Sequence, residues 1–433
     1  MFNRSILVGP AVVLCLALFL SSCAKEKAQP TADDCFPNTT LENGQKLLGN
    51  NNYPGIAYSG HRKTVRSVEN TPDIKETKED LLILSAMGVK VLRTYNTTIF
   101  PHSKRILQAI QELKTESPGF EMYVMLGAWI QCKNAFREGV DHAVEDAEWN
   151  HREIEEAINL ASKYPDVVKI IAVGNEAMVT WQEHFVPAAA ILRWVKVLKE
   201  ARADGRIPRN TLVTTSDNWA ALGGEESYHG PDLVELLKQI DFLSLHTYAF
   251  HDSYYNNNLQ WAPLPEETDL PNVDQAANAI QRSIALQENQ YDAVKHYLQE
   301  IGIEKDIHIG ETGWASLDNS HYGDEGTCAA SEYNAKLFYD AIMQWTREKN
   351  LTCFFFEAFD EPWKSNGTAG SEGHFGLFTV DGQAKYALWG LVDSGALEGL
   401  SRGGSPVAKT HGGIVSALQD KLKSPRDLKF NQP

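Results

Sequence analysis

The chain has 433 residues and a formal net charge of −17 at pH 7. This acidic balance argues against a nucleic acid or an anionic membrane surface as the main partner, because both attract clusters of Lys and Arg. A neutral substrate is compatible with the charge, and barrel folds of this length commonly form one domain.

Residues 1–22 are typical of an export signal. Arg4 precedes an apolar run from Ile6 to Leu20, which is too short for an ordinary membrane-spanning helix. The next residues complete Leu20-Ser21-Ser22-Cys23, which resembles the lipobox of bacterial lipoproteins. The resemblance implies lipidation at Cys23 and anchoring in the bacterial cell envelope, at the outer membrane because Ala24 follows. A plain secretory signal is the alternative.

Residues 23–45 are expected to form the lipidated cysteine and a flexible tether, because they are polar and lack apolar periodicity. Four other cysteines would remain in the mature chain, and their pairing is left open because four cysteines allow three connectivities. They are Cys35, Cys132, Cys328 and Cys353. No cysteine spacing suits a metal, so neither a metal nor a cofactor is expected.

Residues 46–395 alternate strand-like apolar runs with amphipathic helical segments. The expected strands are Gly55–Ser59, Val89–Thr94, Glu121–Gly127, Val168–Gly174, Leu212–Thr215, Phe242–His246, Ile307–Glu311 and Thr352–Ala358. The expected helices are Leu81–Met87, Ile106–Leu113, Ile154–Tyr164, Ile191–Ala201, Leu233–Ile240, Asp274–Ile301 and Tyr333–Trp345. Residues 396–433 are expected to form a polar tail that packs loosely on the barrel base or is disordered.

Eight apolar parallel strands with helical connections predict an α/β fold, a closed (β/α)8 TIM barrel with a single catalytic domain. The alternative is a doubly wound open sheet. No Gly-x-Gly-x-x-Gly turn follows the first strand, and the strand count suits closure.

Two predicted strands end in a carboxylate. Glu176 closes Gly174-Asn175-Glu176, and Glu311 closes Ile309-Gly310-Glu311. Each alone has a structural explanation, such as helix capping near Glu176 or a strand that ends at the surface. Together they indicate the paired-carboxylate chemistry of glycoside hydrolysis.

The other strand ends carry aromatic, acidic and amide side chains, which suit a sugar. The candidate sugar-binding residues are Arg93, Tyr95, Trp129, Asn175, His246, Tyr248, Trp314, Glu357, Asp360, Glu361, Trp363, Lys364 and Glu372. Trp314 and Trp363 could instead be core aromatics, and Asp360 with Glu361 could start a turn. The spacing of His246 and His251 fits no common zinc motif.

Gly174-Asn175-Glu176, Gly310-Glu311-Thr312-Gly313-Trp314, Phe359-Asp360-Glu361-Pro362-Trp363-Lys364 and Glu372-Gly373-His374-Phe375 resemble glycoside hydrolase family 17, the β-1,3-glucanases and β-1,3-glucan transferases. The resemblance implies that Glu176 is the acid/base and Glu311 the nucleophile. It also implies a supporting polar network of Glu361, Lys364 and Glu372. Asp360 departs from the Asn of plant members.

The expected activity is therefore a retaining hydrolysis of β-1,3-glucan, with the two carboxyl groups about 5 to 5.5 Å apart. Arg93 and Tyr248 are expected to keep Glu311 ionised. The alternatives are a β-1,3-glucanosyltransferase with the same pair and a non-catalytic surface glycan-binding protein. The expected partners are β-1,3-glucan and the membrane that holds the lipid anchor, and the protein is expected to be a monomer.

Overall fold

A computed structural model describes residues 40–427, which belong to one compact unit. The expected export signal, the lipidation site Cys23, Cys35 and most of the tether lie outside the described residues. So does the end of the chain from residue 428.

Short strands follow one another through the described chain. They are β1 (Gly55–Ala57), β2 (Val91–Arg93), β3 (Tyr123–Ala128), β4 (Cys132–Lys133), β5 (Asp141–Glu145), β6 (Val168–Asn175), β7 (Leu212–Asn218), β8 (Leu243–His246), β9 (Ile307–Gly313), β10 (Cys353–Phe356), β11 (Ser401–Arg402) and β12 (Ser405–Pro406). Strand β4 pairs with β5 and β11 with β12 in two small separate sheets, whereas the other eight strands are buried apart from the partly exposed Asn175 and Asn218.

The remaining eight strands close a barrel in the order β1-β10-β9-β8-β7-β6-β3-β2. Every neighbouring pair is parallel, including β1 with β10, which joins the first barrel strand to the last. The predicted (β/α)8 barrel is therefore confirmed. An open doubly wound sheet is excluded, because such a sheet has two edge strands.

Among the described residues, eight α-helices connect the barrel strands and two more follow β10, the last barrel strand. They are α1 (Ile74–Ala86), α2 (His102–Glu116), α3 (Ala147–Lys163), α4 (Ala188–Ala203), α5 (Pro231–Gln239), α6 (Ala249–Tyr255), α7 (Asn272–Glu300), α8 (Glu332–Glu348), α9 (Trp389–Asp393) and α10 (Val415–Gln419). Helix α1 begins seven residues before the predicted Leu81, because Asp73 and Glu76 form a capping box. Among residues 40–427, no helix is long and apolar enough to cross a membrane.

Two apolar clusters hold the barrel together. One fills the space between strands and helices, and the other contains inward-facing strand residues such as Val91, Met125 and Ile170. Leu41, at 6% exposure, belongs to this second cluster. The assignment of residues 40–45 to the tether is therefore wrong, because burial of Leu41 ties this segment to the barrel.

Residues 396–427 are ordered, whereas a loose or disordered tail was expected. Arg402 is 2% exposed. Its Nε lies 2.8 Å from Asp80 Oδ1 on α1, and Arg62 Nη2 lies 2.8 Å from the same oxygen. Tyr58 donates to Asp80 Oδ2 at 3.0 Å. The sequence pattern missed this packing because it depends on buried polar contacts and on isolated buried leucines, without apolar periodicity.

The cysteines that the structure describes do not pair with one another. Cys132, Cys328 and Cys353 are buried free thiols. Burial raises the pKa of the Cys353 thiol to about 12, which keeps it protonated and unreactive near neutral pH.

Replacing Asp80 by Asn should destabilise the protein by about 3–5 kcal/mol, because two guanidinium groups would lose their buried counter-charge. Chemical denaturation measures this free energy of unfolding. The control is Lys78→Ala on the same helix, whose partners Glu112 and Glu116 are much more exposed. It should cost about 1 kcal/mol or less. Equal stability of Asp80→Asn and the wild type would show that this cluster does not hold the C-terminal segment.

Candidate active site

Glu311, near the end of β9, is held by three side chains from the barrel rim. The guanidinium of Arg93, at the end of β2, forms an ion pair with Glu311 Oε2. Tyr95 donates to the same oxygen at 3.0 Å, and Tyr248 donates to Oε1 at 2.6 Å. Gly310 precedes the carboxylate because a Cβ there would collide with Ser244 Oγ. The three side chains fix both oxygens of Glu311 in one orientation.

These contacts also set the charge of Glu311. Burial by itself would raise the pKa of this carboxyl, but the positive charge of Arg93 and the hydroxyl of Tyr248 outweigh it and hold the pKa well below its usual range. Glu311 is therefore ionised at neutral pH, the state that a nucleophile needs. The expected roles of Arg93 and Tyr248 agree with this geometry.

Glu176 follows the last residue of β6, three strands away from β9 in the barrel. Gln182 Nε2 donates to its Oε2 at 3.1 Å, and His246 Nδ1 lies 3.2 Å from its Oε1. The φ angle of Glu176 is 45°, in the left-handed region that a non-glycine residue adopts at a cost of roughly 1–2 kcal/mol. Such strain is typical of functional sites.

His246 connects the two carboxylates. Its Nε2 lies 3.2 Å from Arg93 Nη2, which can only donate, so Nε2 accepts. With Nε2 accepting, Nδ1 is the ring nitrogen that donates to Glu176 Oε1. Arg93 also donates to Asn175 Oδ1, which leaves the amide N–H groups of Asn175 free to meet a sugar hydroxyl.

Several residues that support Glu176 were missed by the sequence analysis. His184 Nε2 lies 2.9 Å from the carbonyl oxygen of Asn175, and the fully buried Asp217 accepts the N–H of Met178 at 2.9 Å. Burial raises the pKa of Asp217 to about 8. These residues brace both sides of the strained Glu176. Asp217 had a signal, because a carboxylate within a buried strand needs partners, whereas Gln182 and His184 lie in a loop without such a signal.

A second polar cluster lies beyond β10. Lys364 Nζ is 2.6 Å from Glu357 Oε2 and 3.0 Å from Glu361 Oε2. Burial raises the pKa of Glu357 well above its usual range. For Glu361 burial acts the same way, but Lys364 outweighs it and lowers the pKa to about 2. One lysine between two carboxylates thus favours one charged and one protonated acid.

This cluster reaches the catalytic rim through Phe356, whose ring centroid lies 6.3 Å from those of both Tyr95 and Tyr248. Trp363 donates its indole N–H to Glu361 at 3.1 Å, and Arg66 covers its ring at 3.4 Å. At least one face of Trp363 is therefore taken by a guanidinium and is closed to a sugar.

Trp129 and Glu372 lie further out. Trp129 is half-buried and packs on His184, with ring centroids 4.4 Å apart. Glu372 is exposed, 3.8 Å from His251 Nε2, and the His251 ring lies 5.2 Å from that of Tyr248. Both residues can therefore contact a substrate that extends beyond the catalytic pair.

Two candidates do not join the site. Trp314 is 1% exposed and donates its indole N–H to Ala329 O at 2.8 Å, so its assignment as a sugar-binding residue is wrong: it is a core aromatic. Asp360 pairs with Lys385 at 2.6 Å and accepts the N–H of Gly376 at 3.0 Å. It lines a separate cavity of about 1260 Å³ whose walls include neither Glu176 nor Glu311. Its contacts are structural.

Within residues 40–427, no group of three or more His, Cys, Asp or Glu side chains is placed to hold a metal ion. The arrangement offers one ionised carboxylate with fixed oxygens and a second carboxyl group linked to it through His246 and Arg93. Such a pair can perform acid/base and nucleophilic steps on a glycosidic bond.

Comparison with known proteins agrees with this chemistry. The chain is 47% identical to an endo-laminarinase from Formosa Hel1_33_131, with a TM-score of 0.85 over 89% of this chain and 98% of that one. It is 26% identical to a glucan 1,3-β-glucosidase from Arthroderma benhamiae, over 72% of this chain and 84% of that one. A family 17 β-1,3-glucanosyltransferase from Rhizomucor miehei, 20% identical with a TM-score of 0.53 over 78% of this chain and 96% of that one, shares the fold.

The model of the BtgE/BtgC glycoside hydrolase domain matches residues 55–376, which span the barrel from β1 to the loop after β10. The matched range includes Glu176, Glu311 and all the residues that contact them. The resemblance noted from the sequence motifs is thereby confirmed, and the chain belongs to the BtgE/BtgC glycoside hydrolase family.

Proposed function

We propose that the protein is a retaining β-1,3-glucanase that hydrolyses laminarin-type glucan by double displacement. The main support for this proposal is the ionised Glu311, which forms an ion pair with Arg93 and accepts hydrogen bonds from Tyr95 and Tyr248. Glu176 is connected to this group through His246. The choice of β-1,3-glucan is supported by the 47% identical endo-laminarinase, which aligns over 89% of this chain.

In the first step, a Glu311 oxygen attacks the anomeric carbon while Glu176 gives a proton to the departing glycosidic oxygen. The bond between that carbon and the departing oxygen breaks, and an ester to Glu311 forms. Arg93 and the two tyrosines hold the carboxylate so that it reacts without reorganisation. The free amide N–H of Asn175 suits the sugar 2-hydroxyl, a contact that strengthens in the transition state.

In the second step, Glu176 removes a proton from water, and the water oxygen attacks the anomeric carbon as the ester bond to Glu311 breaks. Gln182 and His246 keep Glu176 in place for both steps. Two inversions leave the product with its original β configuration. Because both carboxylates and their supports are intact, this hydrolysis is preferred to a non-catalytic glycan-binding role.

Replacing either Glu311 or Glu176 by Gln should lower kcat on laminarin by on the order of 10³-fold or more, because each removes a group that reacts with substrate. Reducing-sugar release measures the rate. Proton NMR of the first wild-type products should show the β anomer. The control Glu148→Gln, on the exposed surface of α3, should keep wild-type activity. An α anomer would contradict double displacement, and inactivity of the wild type on every β-1,3-glucan would contradict the substrate.

Replacing Tyr248 by Phe should move the acidic limb of the kcat/KM profile to higher pH. Tyr248 donates to Glu311 and helps to lower its pKa, so its loss raises the pKa and protonates the nucleophile earlier as pH falls. The expected shift is about 1 pH unit, the size of one hydrogen bond to a charged group. Tyr53→Phe, the same change at the barrel base, should leave the limb in place. A shift to lower pH in Tyr248→Phe would rule out this role.

We further propose that Cys23 carries a lipid anchor that holds the enzyme at the outer membrane. The support is the Leu20-Ser21-Ser22-Cys23 motif after the apolar export run. Several acyl chains on one residue give stable anchoring where one does not. Cys23→Ala should move the protein from the membrane fraction to the soluble fraction, while Cys35→Ala should not. Membrane association that survives Cys23→Ala would mean that another segment anchors the chain.

A further inference from the structure

Three rings form a cluster beside the proposed acid/base residue. His184 contacts both Trp129 and Phe136, with ring centroids 4.4 Å and 5.6 Å away, and the centroids of Trp129 and Phe136 lie 6.4 Å apart. The His184 and Phe136 rings are nearly parallel, at 26°. Burial lowers the pKa of His184, so its ring is neutral at neutral pH and packs as an aromatic surface.

One ring of this cluster is open to solvent. Phe136 is 58% exposed and lies in the loop between β4 and β5, with φ at 60°. A single exposed aromatic is ordinary, but one held in the left-handed conformation costs roughly 1–2 kcal/mol. Backbone strain of this kind persists where the surrounding structure enforces it, and it concentrates at functional sites.

A second exposed ring lies on the neighbouring loop. Trp181 is 61% exposed and precedes Gln182, which donates to Glu176 Oε2. The two loops are joined by the N–H of Cys132, which donates to the carbonyl oxygen of His184 at 3.2 Å. Both exposed rings are therefore carried by segments that contact the acid/base residue or its neighbour.

The position of these rings relative to Glu176 and Glu311 shows which side of the cleft they line. His184 contacts the carbonyl oxygen of Asn175, the residue before Glu176, whereas the side chains that hold Glu311 come from the ends of β2 and β8. Glu176 protonates the oxygen of the leaving sugar. An aromatic surface next to Glu176 therefore faces the leaving group and, after it departs, the molecule that replaces it.

We propose that Phe136 and Trp181, backed by His184 and Trp129, form a binding surface for the leaving-group side of the β-1,3-glucan chain. The inference rests on the proposed function and names the residues that recognise this part of its substrate. Glucose rings stack their apolar faces on exposed aromatic rings, and this burial of apolar surface favours the binding of longer chains.

The same surface affects the fate of the glycosyl ester. A glucan held there can place a hydroxyl oxygen on the anomeric carbon, forming a new glycosidic bond. The bond from that carbon to Glu311 breaks, and the hydroxyl proton passes to Glu176. Transfer to sugar then competes with hydrolysis when the oligosaccharide concentration is high.

The test compares a long and a short substrate in Phe136→Ala and Trp181→Ala. For laminarihexaose, each variant should lose about five- to tenfold in kcat/KM, because the apolar face of one glucose ring would lose its aromatic partner. For 4-nitrophenyl β-laminaribioside, whose leaving group is one small ring, the loss should be clearly smaller. Products longer than laminarihexaose, sized at high substrate concentration, should decrease in both variants.

The matched control is Val144→Ala, an exposed apolar residue on β5 of the same hairpin, which should match the wild type on both substrates. Equal losses on the long and the short substrate, or no loss on either, would overturn the binding surface. Failure of the proposed function looks different, because the wild type itself would then cleave no β-1,3-glucan. A thermal unfolding midpoint equal to that of the wild type would show that each variant is folded.

Discussion

The buried ion pair between Arg93 and Glu311 is the interaction on which the catalytic rim depends. Arg93 is 1% exposed, and leaving such a guanidinium or the carboxylate unpaired would cost several kcal/mol. Other donors of Arg93 reach Asn175 and His246, so one charged group orients the proposed nucleophile and the segment that carries Glu176. The barrel makes this possible, because parallel closure brings the ends of β2, β6, β8 and β9 to one rim.

The proposed acid/base residue is held by side-chain and backbone contacts together. Gln182 and His246 contact the carboxyl of Glu176, which is in a strained left-handed conformation. The segment around it is fixed by Asp217, by His184 and by the N–H of Glu176, which donates to Ser216 O at 3.1 Å. The loop of Gln182 and His184 also carries Trp181, and His184 packs on Phe136, so positioning of the proposed proton donor and the proposed recognition of the sugar chain involve neighbouring segments.

The ends of the described chain contribute to stability at both faces of the barrel. Leu41 packs among inward-facing strand residues. Arg402 pairs with Asp80, which also accepts a hydrogen bond from Tyr58, the residue that follows β1. Ser59, next along the chain, hydrogen-bonds Glu361 in the cluster around Lys364. The C-terminal segment is thus connected through β1 to the second polar cluster of the rim.

The sequence by itself determined the barrel, its eight strands and the pair of rim carboxylates, because apolar runs of strand length and carboxylates at their ends are local patterns. Tertiary structure alone decided which rim residues meet. Trp314 and Trp129 look alike in sequence, yet Trp314 is buried against helix residues such as Phe338, and Trp129 is half-buried against His184. Gln182 and His184 contact Glu176 and Asn175 only six and nine residues away, but they lie in a loop without periodicity that marks them. Phe136 meets His184, and Arg402 meets Asp80, because the folded barrel brings together loop and polar segments that are distant in the chain.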